Sequence, residues 1–316
     1  MIEGKIHRVE SKDYYIISGG NIIRCNLPGK VKKEYLLKKD KLQILDIAAV
    51  GDNILFRMNN DGTGTIQKVL ERENYLSRKA PKIKGASYRG ERLEQIIAAN
   101  IDCLFIVSSC ITPKFNNRLI DRLIVAGESA HIETKIIINK TDLDHKHSHN
   151  KWEKLYKELG YKVFMTSAKD QSGLEIIKKE LKNKISVFWG QSGVGKSSLL
   201  NSMFPAIDFK VNSLAKSGRG KHTTVTTIME NVDGNTFIID TPGIREIDPF
   251  GIKKQDLSHY FSEFAPLIQQ CKFSTCTHTH EPGCAVMEAV EKGQVSIDRY
   301  KSYLNILDTV EEDMLF

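Results

Sequence analysis

Long apolar runs are missing from this chain of 316 residues. No stretch approaches the roughly 18 to 20 consecutive apolar residues that a membrane-spanning helix needs. The opening residues, MIEGKIHRVE, also lack the apolar core of a secretory signal. We therefore expect a soluble, cytoplasmic protein that binds no membrane.

Cysteine is scarce, with six residues in the whole chain, which excludes a disulfide-stapled scaffold. Cys25, Cys103 and Cys110 lie among apolar residues and are expected to pack as small hydrophobic side chains. The other three cysteines fall within fourteen residues of one another: Cys271, Cys276 and Cys284. Crowding of this kind points to a metal site.

Acidic residues do not balance the basic ones, since 46 Lys and Arg stand against 39 Asp and Glu. Residues 1–90 alone hold 18 basic and 10 acidic residues, a net charge of +8 against +7 for the whole chain. This local surplus suits a protein that binds phosphate backbones, because each neutralised phosphate releases counterions. A solvated basic face would give the same count.

The chain is longer than one ordinary domain, and its patterns divide it into a β-barrel, a linker and two further domains. Residues 1–75 contain short extended runs separated by turn residues: YYIISG, NIIRCNL, DNILFRM and GTIQKVL. Together with the surplus of base, they predict an OB-like barrel that binds nucleic acid. An adaptor barrel without RNA contact is the alternative.

Residues 76–91 show no periodicity and many Lys and Arg residues, which predicts a basic linker. Over 92–245, near-continuous apolar runs alternate with helical stretches, which is typical of a parallel sheet covered on both faces. Residues 246–316 predict a mostly helical domain around the Cys/His cluster. It begins with the helical stretch KQDLSHYFSEFAPLIQQ and ends with a helix pair.

A phosphate-binding loop is predicted where the strand ISVFW ends. Gly190, Gly195, Lys196 and Ser197 match G-x-x-x-x-G-K-[ST], and a helix follows. Lys196 is expected to reach the β- and γ-phosphates, and Ser197 to bind Mg²⁺. The residues expected around the phosphates are Gly190, Gln191, Ser192, Gly193, Val194, Gly195, Lys196, Ser197 and Ser198.

Asp240 ends the strand NTFIID and begins the sequence DTPG. An acid at the carboxyl end of a strand can orient Mg²⁺, and Gly243 can sense the γ-phosphate. Alone, the sequence DTPG would also fit a simple turn. Beside a phosphate loop, it predicts a nucleotide switch.

Guanine is the expected base. The tetrad Asn139, Lys140, Thr141 and Asp142 follows the strand TKIIIN, and an ionised Asp142 can accept from both N1–H and N2–H₂ of guanine. Adenine offers no such pair of donors. The triad Ser167, Ala168 and Lys169 also follows a strand and would add a backbone N–H to guanine O6.

These elements occur in an unusual order, because the tetrad and the triad precede the phosphate loop. The order is that of a GTPase domain whose chain has been cut and restarted partway round. Chain ends often lie close together in a compact domain, so the same sheet can form. The sequence therefore predicts a circularly permuted α/β GTPase.

The whole chain resembles the RsgA or YjeQ family of circularly permuted GTPases that depend on the small ribosomal subunit. The stretches that carry the resemblance are AANID at 98–102, NKTD, SAK, GQSGVGKSSL, GRGKHTT at 218–224, DTPGIRE and CKFSTCTHTHEPGC. The resemblance implies an OB barrel, a permuted GTPase and a zinc domain. It also implies a GTPase that binds the small subunit and its rRNA and leaves after hydrolysing GTP. We expect the protein to be a monomer, although the sequence itself does not give the oligomeric state.

Catalysis needs a substitute for a missing glutamine. Ile244 stands where many GTPases carry the Gln that orients the attacking water, and its side chain cannot hydrogen-bond. His222 is the candidate replacement, although it could instead contact RNA or solvent. Thr223 or Thr224 is expected to complete the Mg²⁺ shell, and the sequence does not distinguish them.

The Cys/His cluster has the pattern C-x4-C-x-H-x5-C, which offers four ligands for one structural zinc ion. The expected ligands are Cys271, Cys276, His278 and Cys284. His280 has a competing spacing, and the resemblance favours His278. His145, His147 and His149 are interpreted as part of a solvated loop.

Two other functions remain open at this stage. One is a nucleotide-regulated RNA-binding adaptor that barely hydrolyses GTP, which Ile244 would permit. The other is a nuclease or metal enzyme at the Cys/His cluster, which is disfavoured because four protein ligands leave zinc no open position.

Overall fold

The computed structural model describes residues 1–31, 46–79, 94–209, 227–241 and 252–310. Several sequence predictions lie outside these ranges: His222, Thr223, Thr224, Gly243, Ile244 and most of the basic linker. Within the described ranges, no helix is long and apolar enough to cross a membrane.

The N-terminal part is a closed five-stranded barrel. Its strands are β1 (Ile2–Glu10), β2 (Asp13–Ser18), β3 (Asn21–Asn26), β4 (Asn53–Met58) and β5 (Gly64–Val69). They pair in the order β1-β2-β3-β5-β4, and β4 pairs back with β1 to close the barrel. The predicted OB-like barrel is confirmed.

Alternating side chains fill the barrel, as a strand with one face inward requires. Ile6, Ile16, Ile54, Phe56 and Ile66 are fully buried in this core. Strand β1 was not predicted, because most of its residues are charged or exposed and only two adjacent ones, Ile6 and His7, are buried.

A two-stranded ribbon follows the barrel, formed by β6 (Tyr75–Lys79) and β7 (Glu94–Ala99) in antiparallel pairing. The prediction of an irregular linker is therefore wrong for residues 76–79. Leu76 is the one inward-facing apolar residue at the start of this strand, so the sequence carried almost no alternation. The domain boundaries themselves stay predictions.

The central domain is an α/β sheet. Its strands are β8 (Cys103–Ser109), β9 (Glu133–Asn139), β10 (Lys162–Met165), β11 (Ile185–Trp189), β12 (Ile228–Asp233) and β13 (Thr236–Asp240). They lie in the order β10-β9-β8-β11-β13-β12, and all neighbours are parallel except β12 and β13. This arrangement confirms the predicted sheet.

Helices cover both faces of this sheet. They are α1 (Asn117–Ser129), α2 (Asn150–Glu158), α3 (Leu174–Leu181) and α4 (Lys196–Met203). Side chains of α1 and α2 share one core with Leu104 and Ile136. Side chains of α3 and α4 share the other core with Phe105 and Phe188. Because β8 and its neighbours are buried on both sides, they read as continuous apolar runs.

The barrel and the central sheet are joined edge to edge. Arg8 of β1 pairs with Ile228 of β12, and the buried His7 ring contacts the carbonyl of Met229. Strand β12 begins just after the threonine-rich segment that was predicted to be a switch. The barrel therefore contacts β12, the strand that follows the predicted switch segment.

The C-terminal part is a cluster of short helices: a 3₁₀ turn at Leu257–Tyr260, α5 (Ala265–Ile268), α6 (Ala285–Glu291) and α7 (Ile297–Thr309). The predicted pair of helices at the end is confirmed as α6 and α7. The long helix predicted before them is wrong, because Phe261 is extended and Pro266 opens a new helix.

Helix α1 carries the C-terminal domain on its outer face. Asp121 of α1 and Arg299 of α7, both fully buried, are 2.6 Å apart, and Arg299 also binds Glu263 at 2.7 Å. The hydroxyl of Tyr156 donates to Asp121 at 2.8 Å. Val125 of α1 packs within the C-terminal core itself. The two domains thus share a charged and apolar contact.

Candidate nucleotide and metal sites

The predicted motifs converge at one edge of the central sheet. Strands β8, β9, β10, β11 and β13 are parallel, and the predicted motifs that the structure describes lie at the carboxyl ends of β9, β10, β11 and β13. In open α/β sheets ligands bind at this edge. The next paragraphs describe how each loop is held there.

The phosphate loop connects β11 to α4, as predicted. A Cβ atom on Gly190 would lie 2.1 Å from the carbonyl oxygen of Val107, so the strand can turn here only with glycine. Gly195 has φ +96° and directly precedes the helix, in a conformation that other residues rarely adopt. Gln191, Ser192 and Gly193 are exposed, which leaves the loop open to a ligand.

Lys196 and Asp240 form a charged pair of residues beneath this loop. The ammonium of Lys196 donates to the carbonyl of Gly190 at 2.6 Å. Burial lowers the pKa of Lys196, whereas the charge of Asp240 raises it. Burial likewise raises the pKa of Asp240, and the charge of Lys196 lowers it. Each group therefore favours the ionised form of the other.

Asp240 is also incompletely satisfied. Its Oδ1 atom is buried and has no hydrogen-bond partner among the residues that the structure describes. A buried carboxylate oxygen without a partner is costly, and Mg²⁺ prefers oxygen ligands of this kind. Ser197 lies at the start of α4 and Thr241 donates to the carbonyl of Phe188 at 3.1 Å. The Asp240 carboxylate and the Ser197 hydroxyl are oxygen ligands that fit a magnesium ion bound with a nucleotide.

The first half of the NKTD tetrad contacts the phosphate loop. Asn139 donates from Nδ2 to the carbonyl of Val194 at 2.9 Å, and the ammonium of Lys140 donates to the carbonyl of Gly193 at 2.6 Å. A Cβ atom on Gly195 would lie 2.5 Å from Asn139 Nδ2. Two motifs about fifty residues apart in sequence are thus bonded to each other.

The second half of the tetrad faces the SAK triad. Ser167 donates from Oγ to Asp142 Oδ1 at 2.8 Å, and the Thr141 backbone N–H donates to the carbonyl of Thr166 at 3.1 Å. Ala168 is half-buried and Lys169 is exposed beside them. The carboxylate that was predicted to read guanine is therefore oriented by the serine of the triad.

The loop after β8 belongs to the site and was not predicted. The carbonyl of Thr112 accepts from the Lys140 ammonium at 2.6 Å, and Cys110 Sγ lies 2.8 Å from the carbonyl of Lys140. All three scattered cysteines are buried, as predicted. The signal for this loop was available, because β8 ends at the same sheet edge as the tetrad.

His149 was also misjudged. It was interpreted as part of a solvated loop, but it is buried, and its ring Nδ1 lies 2.6 Å from the buried carboxylate of Asp144. His145 and His147 are exposed, as that interpretation requires.

The four predicted zinc ligands lie together in the C-terminal domain. The ligand atoms of Cys271, Cys276, His278 and Cys284 all fall within 4.8 Å of one another. His278 Nδ1 lies 3.3 Å from the sulfur of Cys284 and 3.6 Å from that of Cys271. Distances of this size separate the ligands of one tetrahedral zinc ion. The four residues form a possible metal site.

The loop around this cluster is tightly bonded. The Glu281 carboxylate accepts from Thr277 Oγ1 at 2.6 Å and from three backbone N–H groups, those of Thr277, Thr279 and His280. Although burial raises its pKa, these bonds hold the pKa of Glu281 well below its usual range. The competing His280 is exposed and contacts Thr279 instead.

Comparison with known proteins identifies the family. A family model described as RsgA GTPase matches residues 69–250. The chain is 36% identical over 318 residues to "Small ribosomal subunit biogenesis GTPase RsgA" of Chlorobaculum parvum, with 98% of this chain and 99% of that protein covered. The chain belongs to the RsgA GTPase family. It is also 37% identical over 302 residues to a second RsgA, from Bacteroides thetaiotaomicron, covering 93% and 92% of the two chains.

Solved structures of RsgA relatives share the fold. The crystal structure of YjeQ from Thermotoga maritima superposes with a TM-score of 0.75 at 32% identity, over 98% of both chains. YloQ, described as a circularly permuted GTPase, superposes with a TM-score of 0.69 at 28% identity, over 98% of this chain and 95% of that one. The motifs of this chain thus predicted the permuted arrangement by which YloQ is described.

Proposed function

We propose that this protein is a GTPase that binds the small ribosomal subunit late in its maturation and leaves after GTP hydrolysis. The RsgA relatives carry names that state a role in small-subunit biogenesis, and the family is described as a GTPase. The observation that carries the proposal is the bonding of the tetrad to the phosphate loop through Asn139 and Lys140.

These bonds hold the loop that is proposed to bind the base against the loop that is proposed to bind the phosphates. A base held by Asp142 and phosphates held by residues 190–198 belong to the same nucleotide only if the two loops keep a fixed distance. Lys140 bridges the two loops directly, because its ammonium donates to the carbonyl of Gly193 at 2.6 Å. We therefore assign guanine to Asp142 and the Ser167, Ala168 and Lys169 triad, and the phosphates to the loop and Lys196.

Magnesium fits the remaining groups. Ser197, Asp240 and either Thr223 or Thr224 would hold the ion, and Gly243 would sense the γ-phosphate. When bound, Mg²⁺ supplies positive charge to the β- and γ-phosphates. The protein's own contribution is to hold the phosphate chain with backbone N–H groups and the Lys196 ammonium.

His222 is the proposed residue for the attacking water. Ile244 offers no hydrogen bond there, and an imidazole can hold or deprotonate water near neutral pH. Water adds to the γ-phosphorus as the bond to GDP breaks, so GDP and phosphate leave. We propose that the protein alone hydrolyses GTP slowly and that contact with the small subunit accelerates the reaction.

The barrel, the basic residues after it and the C-terminal domain are the proposed rRNA contacts. The N-terminal surplus of base supports the first two assignments. One zinc ion on Cys271, Cys276, His278 and Cys284 would stabilise the third. We propose that the protein acts as a monomer in the cytoplasm, where these subunits are assembled.

Sedimentation tests this proposal. Purified small and large ribosomal subunits are spun through a sucrose cushion with the protein and either GDP or a non-hydrolysable GTP analogue. The protein is expected in the small-subunit pellet with the analogue, and at a much lower level with GDP. Equal binding to large subunits, or equal binding with GDP, would contradict the proposal.

A further inference from the structure

Asp144 is a buried carboxylate directly behind the turn that carries Asp142. It follows the 3₁₀ turn Thr141–Leu143, and its side chain is 1% exposed. Its backbone N–H donates to the carbonyl of Thr141 at 3.1 Å and so closes the turn. The position of Asp144 is therefore linked directly to the geometry of the turn.

One oxygen of this carboxylate gathers three donors. Oδ2 lies 2.9 Å from Ser148 Oγ, 3.0 Å from the His149 backbone nitrogen and 2.6 Å from His149 Nδ1. The carbonyl of His149 in turn accepts from the N–H of Trp152 at 2.9 Å in the first turn of α2. Asp144 thus clamps the turn onto the start of a packed helix.

Holding the turn with a buried carboxylate costs desolvation free energy. Burial raises the pKa of Asp144, but the bonds from His149 and Ser148 outweigh it and hold the pKa below its ordinary range, so the group is ionised at neutral pH. Its other oxygen, Oδ1, is buried without a hydrogen-bond partner in the described part of the chain. A buried charge with one oxygen unpaired needs an explanation beyond packing.

The opposite end of the turn is held as firmly. Cys110 Sγ lies 2.8 Å from the carbonyl of Lys140, and Ser167 fixes the carboxylate of Asp142 at 2.8 Å. The segment between these points is only a few residues long. The turn that carries Asp142 is therefore held at both ends, and the contacts of Asp144 are among those that fix the direction in which Asp142 presents its oxygens.

We propose that Asp144 and His149 are a positioning pair that sets the selectivity of this pocket for guanine. By fixing the turn from behind, the pair aims Asp142 at both N1–H and the 2-amino group of the base. The inference rests on the proposed function, in which Asp142 reads guanine. Purine nucleotides without the 2-amino group are the class that the pair discriminates against.

The test compares the dissociation constants of GDP and inosine diphosphate, which differ only in the 2-amino group. Calorimetry with the full-length protein gives the ratio of the two for each variant. His149→Leu removes the ring donor and is expected to lower the GDP preference about three- to ten-fold, the effect of one weakened hydrogen bond. Inosine diphosphate should bind with nearly unchanged affinity.

Conservative variants separate positioning from folding. His149→Asn keeps an N–H donor near the place of Nδ1 and is expected to restore most of the GDP preference. Asp144→Asn should lower it as His149→Leu does. Glu158→Gln removes an exposed charge from the same helix and is the control, with an expected ratio equal to that of the wild type. Circular dichroism checks that each variant is folded.

The outcomes are distinct. If His149→Leu weakens GDP and inosine diphosphate equally, or changes neither, the pair has only a structural role and the proposal is overturned. Asp142→Asn is measured alongside. If that variant keeps the full GDP preference, Asp142 does not read the base, and both the proposed function of the tetrad and this inference fall together.

Discussion

The nucleotide site and the zinc-type cluster are built in opposite ways. The first is assembled from loops between residues 109 and 241, which meet because parallel strands end at one edge of a sheet. The second takes all four ligand residues from positions 271–284. The sheet keeps its own core on both faces, whereas the cluster lies in the loop between α5 and α6, with Cys284 as the N-cap of α6.

Because of this difference, we expect the nucleotide and the metal ion to have different effects on folding. The phosphate loop is braced by Asn139 and Lys140 through protein bonds alone, so nucleotide binding uses a frame that already exists. Three thiolates that converge on one point repel one another unless a cation lies between them. Metal binding should therefore be part of folding in the C-terminal domain and nucleotide binding should not.

The largest effect is expected from Cys276→Ser. This variant should lose zinc and unfold the C-terminal domain while GDP binding survives, because metal-ligand energy is about 10 kcal/mol or more in zinc-finger peptides. Elemental analysis and a GDP titration on the same sample measure both results. The control is His280→Ala, an exposed histidine of the same loop, which should keep its metal. A zinc-free wild type would refute the comparison.

Catalysis gives the next largest effect and tests the nucleotide site alone. His222→Ala should remove most of the acceleration by small subunits while GTP binding remains, since a positioned general base contributes about 10² to 10⁴ in rate. Phosphate release is measured at saturating GTP with equal subunit concentrations. His131→Asn, at the opposite edge of the sheet, should behave as the wild type. Full stimulation of the His222 variant would show that another group positions the water.

The contact between the two regions can be broken at Asp121. Asp121→Ala leaves the buried Arg299 with Glu263 as its remaining ionic partner, and breaking a buried pair costs about 3 to 5 kcal/mol. We expect about 3 kcal/mol in urea unfolding. Lys151→Ala removes an exposed ion pair across the same contact, 3.7 Å from Asp298, and should cost less than about 1 kcal/mol. Similar losses of unfolding free energy in both variants would mean that the buried pair stabilises the protein no more than the exposed pair does.

The smallest effect sharpens the view of the base pocket. Asp142→Asn should weaken GDP binding by about 1 to 3 kcal/mol, because an amide cannot accept from both N1–H and N2–H₂. Calorimetric titration measures it, with Asp233→Asn at the exposed end of β12 as the control. Unchanged GDP affinity would remove the tetrad from the site.

Local patterns predicted which residues the structure brings together at each candidate site, and long-range contacts account for what was missed. The phosphate loop, the tetrad and the four cluster residues are short motifs, so residue type and spacing suffice to find them. His149 was placed in solvent because DHKHSHN is polar throughout, yet the bond to Asp144 and the start of α2 bury it. A buried charge of this kind is decided by its partner in the fold.

The errors in the fold have similar causes. The segment KQDLSHYFSEFAPLIQQ has helical spacing, but tertiary packing of Phe261 and Phe264 against Tyr303 breaks it into a turn and a short helix. Strand β12, IMENVD, was not predicted because only Met229 is buried in it. Its place is set by pairing with β13 and β1, which a single sequence window does not contain.

Phosphate release by the wild-type protein tests the central claim most directly. The rate is measured at saturating GTP and Mg²⁺, first alone, then with purified small subunits, then with large subunits at the same concentration. The account predicts slow hydrolysis alone, strong acceleration by small subunits and little change with large ones. A rate that small subunits do not change, or that both subunits raise equally, would contradict it.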